Sequence, residues 1–474
     1  MSRPILDAGS AARWAQLNSV ELNGIEISKL PGSKGFGILA KQDVTEENAI
    51  LMTVPKDLIL SLNNVWLYAK SDYHLREVLE AVGDFAKTTR GAILIFLLVQ
   101  LTTSDPCTEG SIGTQTPWTM YVQFLPQVYD LATFWSDEER EALRGTSLEA
   151  ALAAKLNSLD RELILLREST QHVQWCQAYW WSEDSPTSVS MHDWKIVDAM
   201  YRSRALDLPG TGNAMVPFID MANHASGDAT VAQYETDENG NGILVLWDGK
   251  KVNAGGEITI TYGDEKGACE MLFSYGFIEE SMENARELFL DLDIDDDDPL
   301  RFAKKATFNS APGFRLYTSN SSITWEGSFV YLLCVNEEDG LEFRVLQLNS
   351  GEVELKVAWK SNEITGIQDL VESLLKDPLR DIFRLRALVT VSNRIGEQID
   401  RLGREELEPN TAVKRRRIAT AKKLAMLEQQ LLDQAEEEFR RQKDLLLDSS
   451  TVQAWLNANN EPTIPDEGYD DDFA

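Results

Sequence analysis

The chain has 474 residues, and 77 acidic against 45 basic side chains give a formal net charge of −32 at pH 7. Nucleic-acid binders hold phosphates with clustered Lys and Arg, so this balance argues against direct nucleic-acid binding and for basic partners such as lysine-rich protein tails. Four cysteines (Cys107, Cys176, Cys269, Cys334) without CxxC spacing argue against a zinc site or a disulfide framework, and fit reduced thiols in a cytoplasmic or nuclear compartment.

The opening segment MSRPILDAGSAARW lacks the apolar core of a signal peptide. Up to about Leu62 the chain reads as short strands. Ile25 and Ile27 alternate with polar neighbours, GSKGFG follows at Gly32 to Gly37, and AILMTVP closes the region at Pro55. From Asn63 to Arg204 the spacing is helical: Leu75, Val78, Leu79 and Val82 share a face, and Leu156 to Trp181 carries a long amphipathic pattern. Ala92 to Val99 (AILIFLLV) is far short of the ~20 residues of a membrane span and reads as a buried helix, so no membrane partner is expected. Ser136-Asp-Glu-Glu139 is a helix start. Trp175, Tyr179, Trp180 and Trp181 read as core rather than as a recognition cage.

Strands return between Met215 and Tyr262, with DENGNG at Asp237 to Gly242 as a hairpin turn. Asp291 to Asp298 (DLDIDDDD) reads as a linker to a second domain. There, Phe343 and Val345 oppose Val353, Leu355 and Val357 around Asn349-Ser-Gly351. Ile367 to Leu447 is helical with a break at Glu408-Pro409-Asn410, which two long antiparallel helices would satisfy. The acidic stretch from 451 to 474 reads as a disordered tail.

Two segments carry the chemistry. VPFIDMANH, Val216 to His224, ends in an Asn-His pair behind an apolar run. GEITITYG runs from Gly256 to Gly263 and on through LFSYGF to Phe277, delivering Tyr262 and Tyr275, each followed by glycine. Amide, imidazole and phenol groups beside tight turns make a polar site in an apolar wall, the make-up of a small-molecule site. The four histidines show no HExxH spacing and no GxSxG elbow is present, so metal and acyl-transfer chemistry are poorly supported. GSKGFG alone is a turn, since it matches neither a dinucleotide fingerprint nor a Walker loop.

Taken in order, GSKGFG, SRAL (Ser203 to Leu206), VPFIDMANH and GEITITYG…LFSYGF resemble the SET domain of protein methyltransferases. The likeness is to the branch of the Rubisco large-subunit and fungal ribosomal-protein lysine methyltransferases. VPKDLILS at Val54 and WTMYVQFLP at Trp118 add to it. The resemblance implies an α+β fold: a SET domain over about 17–285, with small twisted sheets, knot-like threading and a helical insert at 63–204, then a mainly helical substrate-binding domain over 299–450. It implies S-adenosylmethionine (SAM) as cofactor, no metal, a monomer, and a protein substrate of ribosomal or histone-like character.

By position, the resemblance places the backbone of Lys34, Gly35 and Phe36 along the methionine end of SAM, and Arg204 against its carboxylate. Asn223 and His224 hold its methionine and adenine portions, and Asp220 and Tyr234 are substrate-side contacts. Tyr275 stands beside the transferred methyl and Tyr262 forms a second wall. The chemistry is coherent: a lysine ε-amine has a pKa of about 10.4 and must reach the methyl unprotonated, which an aromatic, desolvating channel favours. Two departures bear on substrate identity and methylation number: Ala225 interrupts the family's Asn-His-Ser, and a downstream tyrosine is replaced around Leu288 or Phe289. Two other readings stay open, a protein-histidine methyltransferase and a catalytically silent SET-like binding module.

Overall fold

The computed structural model describes residues 4–31, 35–108, 112–307, 312–319, 322–347, 353–402 and 411–459. The chain divides into two compact units, one of Met1–Arg140, Ala150–Lys266 and Glu270–Phe277, the other of Glu141–Glu149, Gly267–Cys269 and Ile278–Ala474. The division falls at Phe277, ahead of the acidic run expected to be a linker. That run is ordered by its cations: Asp291 binds Arg394 at 2.6 Å, Asp293 binds Lys305 at 2.8 Å, and Asp298 binds the buried Lys304 at 2.7 Å.

The first unit holds the strands β1 (Glu21–Leu22), β2 (Ile25–Lys29), β3 (Phe36–Ala40), β4 (Ile50–Val54) and β5 (Leu206–Leu208). It continues with β6 (Gly212–Ala214), β7 (Asn223–His224), β8 (Ala232–Thr236), β9 (Gly242–Leu246) and β10 (Glu257–Ile260). They form small sheets in the orders β1-β4-β9-β8 and β2-β3-β10-β7, and a β5-β6 hairpin. The DENGNG turn joins β8 to β9 as expected. Asp237 accepts the amides of Asn239 and Asn241 at 2.8 Å each, and Gly240 adopts φ +83°. The pairing that matters most is β7 with β10, which run parallel, Asn223 opposite Thr259 and His224 opposite Ile260. A parallel pair needs a long crossover, and the β8–β9 hairpin lies within it.

The stretch read as helical supplies Leu62–Ser71, Tyr73–Val82, Thr89–Ser104, Ser147–Thr170 and Met191–Arg202. Thr88 caps the Thr89–Ser104 helix by accepting the Gly91 amide at 3.0 Å. From Ala92 to Val99 every side chain is fully buried, so this apolar helix is the centre of the first core. It packs so closely on its own lead-in that a Cβ on Gly91 would stand 2.0 Å from the Phe85 carbonyl oxygen. Among the described residues no helix is long and apolar enough to cross a membrane.

Two local expectations change. The N-terminal region is not all strand: Ala8–Leu17 is a helix burying Ala11, Trp14 and Ala15. The Leu156–Trp181 pattern is not one helix either. The helix ends at Thr170, and Gln177–Trp181 forms a π-helical turn. Thr170 Oγ1 donates back to the Leu166 carbonyl at 2.6 Å and accepts from Trp181 Nε1 at 3.0 Å, fastening the break. Trp175 and Trp180 are core, with ring centroids 4.6 Å apart.

The second unit pairs β11 (Glu287–Asp291), β12 (Gly313–Ser319) and β13 (Ser322–Glu326) in one sheet, and β14 (Leu341–Gln347), β15 (Val353–Trp359) and β16 (Asn362–Ile364) in another. Phe343 faces Val357 and Val345 faces Leu355 across the expected hairpin. Its turn at 349–351, and the helix break at 408–410, lie outside the described residues. The helices Arg380–Arg401 and Ala412–Leu447 pack on each other. A further helix, Ser450–Asn459, stands where disorder was expected, held by buried Val452 and by Arg386 over the Trp455 ring at 5.8 Å. Residues 460–474 lie outside the described residues.

Candidate active site

The β7–β10 pairing is what joins the two chemical motifs. The Tyr262 backbone N–H donates to His224 Nδ1 at 3.0 Å, and the Tyr262 hydroxyl donates to the Ala222 carbonyl at 2.9 Å. The ring centroids of His224 and Tyr262 are 5.2 Å apart, and those of Tyr262 and Tyr275 are 4.5 Å apart. Phe277 completes the group, 6.0 Å from His224 and 6.4 Å from Tyr275. The imidazole thus acts as a brace that fixes the Tyr262 turn.

The glycine turn reaches the same sheet. Gly35 takes φ +74°, and among the described residues no heavy atom lies within 4 Å of where its Cβ would stand. A Cβ on Gly37 would lie 2.4 Å from Leu30 Cδ1 and 3.0 Å from Asn223 Nδ2, so glycine there lets the turn sit against Asn223. Phe36 stands edge-on to Phe124 at 6.5 Å. Lys34 lies outside the described residues. The Asn223 amide donates to Glu257 Oε1 at 2.8 Å, a partner the sequence did not suggest.

A cavity of about 200 Å³ opens beside these motifs, lined among others by Arg204, Asp220, Tyr234, Tyr262, Lys266 and Tyr275. Five of these six were expected at the site, while Phe36, Asn223 and His224, on the neighbouring sheet, and Gly35, just before it, lie outside the cavity lining. At the cavity floor, Arg204 Nη1 donates to the Asp220 carbonyl at 2.8 Å and lies 3.7 Å from Asp220 Oδ1. Tyr121, absent from the sequence reading as a site residue, donates its hydroxyl to Asp220 Oδ1 at 2.5 Å and accepts the Phe218 amide at 2.8 Å. Phe218 holds φ +67°, a strained conformation for a bulky residue, locked by its fully buried ring and by that bond. The signal for Tyr121 was the WTMYVQFLP stretch, yet nothing in one sequence tells which of its aromatics turns a hydroxyl toward Asp220.

Burial raises the Asp220 carboxyl to about 6, with Arg204 and the Tyr121 hydroxyl pulling it back down. Burial opposes the Arg204 charge, and Asp220 together with the surrounding Tyr129, Tyr121 and Tyr262 more than compensates, holding it above the ordinary value. Burial likewise pushes the Tyr262 and Tyr234 phenols up, so both keep their protons at neutral pH. Arg204 Nε and Asp220 Oδ2 are buried without a hydrogen-bond partner among the described residues. A buried orphan donor beside an orphan acceptor is costly unless a ligand satisfies it. The pair, with the cavity that both residues line, suits a zwitterionic amino-acid group. Among the described residues no cluster of His, Cys, Asp and Glu could hold a metal ion.

No family model matches the chain. The crystal structure of the SET domain of LSMT bound to lysine and AdoHcy aligns over 96% of this chain and 96% of that one, with a TM-score of 0.68 at 20% identity. The fold is a SET domain of the Rubisco-methyltransferase kind. Among curated proteins, the SET domain-containing protein 8 of Schizosaccharomyces pombe is 25% identical over 361 residues, which are 74% of this chain and 77% of that protein. The Rubisco large-subunit N-methyltransferase of Pisum sativum is 25% identical over 319 residues, 64% of this chain and 57% of that protein. The actin-histidine N-methyltransferase of Mus musculus is 24% identical over 427 residues, 81% and 66%. The strands β7 and β10 carry Asn223-His224 and the GEITITYG segment in this fold.

Proposed function

We propose that the chain is a SAM-dependent protein-lysine N-methyltransferase whose transfer site is the cavity that Tyr262 and Tyr275 line. The observation that carries the reading is that pair of phenols 4.5 Å apart over a floor of Arg204 and Asp220, in a SET fold. Bound SAM supplies a methyl group on a sulfonium. The chain's own residues do the rest. The turn at Gly35 and Phe36, with Asn223 and the His224 backbone, holds the cofactor. Arg204 and Asp220 line the cavity floor and offer their charges to the charged groups of the cofactor. Tyr262 and Tyr275 form an aromatic wall of the cavity that strips water from the acceptor amine, favouring its neutral form and a near-attack geometry.

The acceptor is a lysine on a basic protein of ribosomal or histone-like character, to which a net charge of −32 draws such partners. A monomer in the cytoplasm or nucleus fits the free thiols. One observation favours a second acceptor, histidine: the actin-histidine relative aligns over 81% of this chain. The test is transfer from labelled SAM to a lysate of cells lacking the protein, followed by mass spectrometry of the modified peptides. Methyl-lysine supports the proposal, methyl-histidine replaces it with the second reading, and no transfer overturns both.

A further inference from the structure

One amine already stands at the transfer site. Lys266 Nζ donates to the Tyr275 hydroxyl at 3.3 Å and lies 5.3 Å from the centre of its ring. Its side chain lines the cavity beside Tyr262, Arg204 and Asp220. The preceding turn is built around that placement. Gly263 takes φ +127°, and a Cβ there would come within 2.9 Å of Lys266 Cε and 3.0 Å of Lys266 Cγ. Glycine therefore leaves the course that the lysine stem follows across the turn. Thr261 Oγ1 accepts the Gly263 amide at 3.0 Å and donates to Asp264 at 2.9 Å, and the Lys266 amide closes the turn on the Gly263 carbonyl at 3.2 Å. On the other side, Lys266 Nζ bonds Glu270 Oε1 at 2.5 Å, one helical turn before Tyr275.

We propose that Lys266 is itself a methyl acceptor, so that the protein methylates its own cavity-mouth lysine. The inference rests on the methyl-transfer reading above. Tethering removes the translational cost of bringing amine and donor together, which is the largest advantage a slow acceptor can have. Burial lowers the tendency of Lys266 to hold its proton, but Glu270 and Tyr275 together outweigh it and favour the ammonium. A proton acceptor must therefore be in contact with the amine, and Glu270 is. The Lys266 ammonium gives a proton to the Glu270 carboxylate, whose side chain is 43% exposed and passes the proton to water. The Nζ lone pair then forms the N–C bond to the methyl group. The C–S bond breaks with its electron pair on sulfur, leaving S-adenosylhomocysteine and a methylated ammonium.

The test uses the purified full-length protein, SAM carrying a trideuterated methyl group, and mass spectrometry of the peptide containing Lys266. The expected result is deuterated methyl on Lys266, formed at a rate per molecule independent of protein concentration and lowered at least about tenfold in Tyr275→Phe. Lys266→Arg is expected to remove the label from this peptide. An unlabelled Lys266 alongside labelled lysate proteins overturns this inference and leaves the functional reading standing; absence of label from both overturns both. A rate that rises in proportion to protein concentration also overturns it, because one molecule would then be modifying another.

Discussion

At the residue scale, Asp220 is the group whose environment is most informative. Its carboxyl is buried, titrates at about 6, and touches Arg204 and Tyr121. Its folded-state pKa lies above the ordinary 3.8. Its contribution to folding is therefore fully present below 3.8 and lost as pH rises through about 6, because the ion pair and hydrogen bond offset only part of the cost of burying the charge. Activity runs the other way, because the Arg204 pair needs the carboxylate: methyl transfer is expected to fall as pH drops through 6. In Tyr121→Phe the carboxylate loses a hydrogen bond that favours ionisation, so the acid limb of the pH–rate profile moves to higher pH. The same change leaves the Phe218 amide unpaired and is expected to cost about 1–3 kcal/mol of stability. An acid limb at the same pH in both proteins would contradict this account of Asp220.

At the element scale, the turn and the parallel strand pair position the site. A Cβ at position 37 meets Leu30 and Asn223, so Gly37→Ala is expected to weaken SAM binding by about tenfold or more in calorimetry while the apolar core stays intact. In the second unit, Glu428 of the Ala412–Leu447 helix is fully buried and accepts from the Ser147 amide and hydroxyl. Burial raises it to about 7 from 4.5, opposed by those bonds, so its stabilising share is present below 4.5 and lost as pH rises through about 7. Glu428→Gln is therefore expected to raise Tm by a few degrees at pH 8 and to change it little at pH 5; an equal shift at both values would contradict the assignment. The elements also show what one sequence can reveal. The AILIFLLV helix and the DENGNG hairpin were legible because a single local property, apolar length or turn chemistry, decides each. The break after Thr170 was not, because it depends on a hydroxyl caught by an indole 11 residues away. The ordered acidic run was not, because its cations, Lys304 and Lys305 of the next helix and the distant Arg394, reach it only once the chain has folded. Of the expected residues, Arg204, Asp220, Tyr234, Tyr262 and Tyr275 line one cavity, but Lys266 lies in no motif and Tyr121 is one of several aromatics in its stretch. They are visible only once the chain has folded their polar ends toward Asp220 and Tyr275.

At the scale of the whole molecule, a net charge of −32 makes encounter with a basic protein an electrostatic event. The rate of transfer to lysine-rich acceptors is expected to fall steeply as salt rises, while SAM affinity, set inside a small cavity, changes little. A rate insensitive to salt would argue for recognition by shape rather than charge. The central claim, that Tyr275 works at the transferred methyl, is tested most directly by single-turnover transfer with the SAM complex formed in advance. The account predicts that Tyr275→Phe still binds SAM, with transfer to lysate proteins slowed by about a hundredfold. Transfer at the wild-type rate in that variant would contradict it.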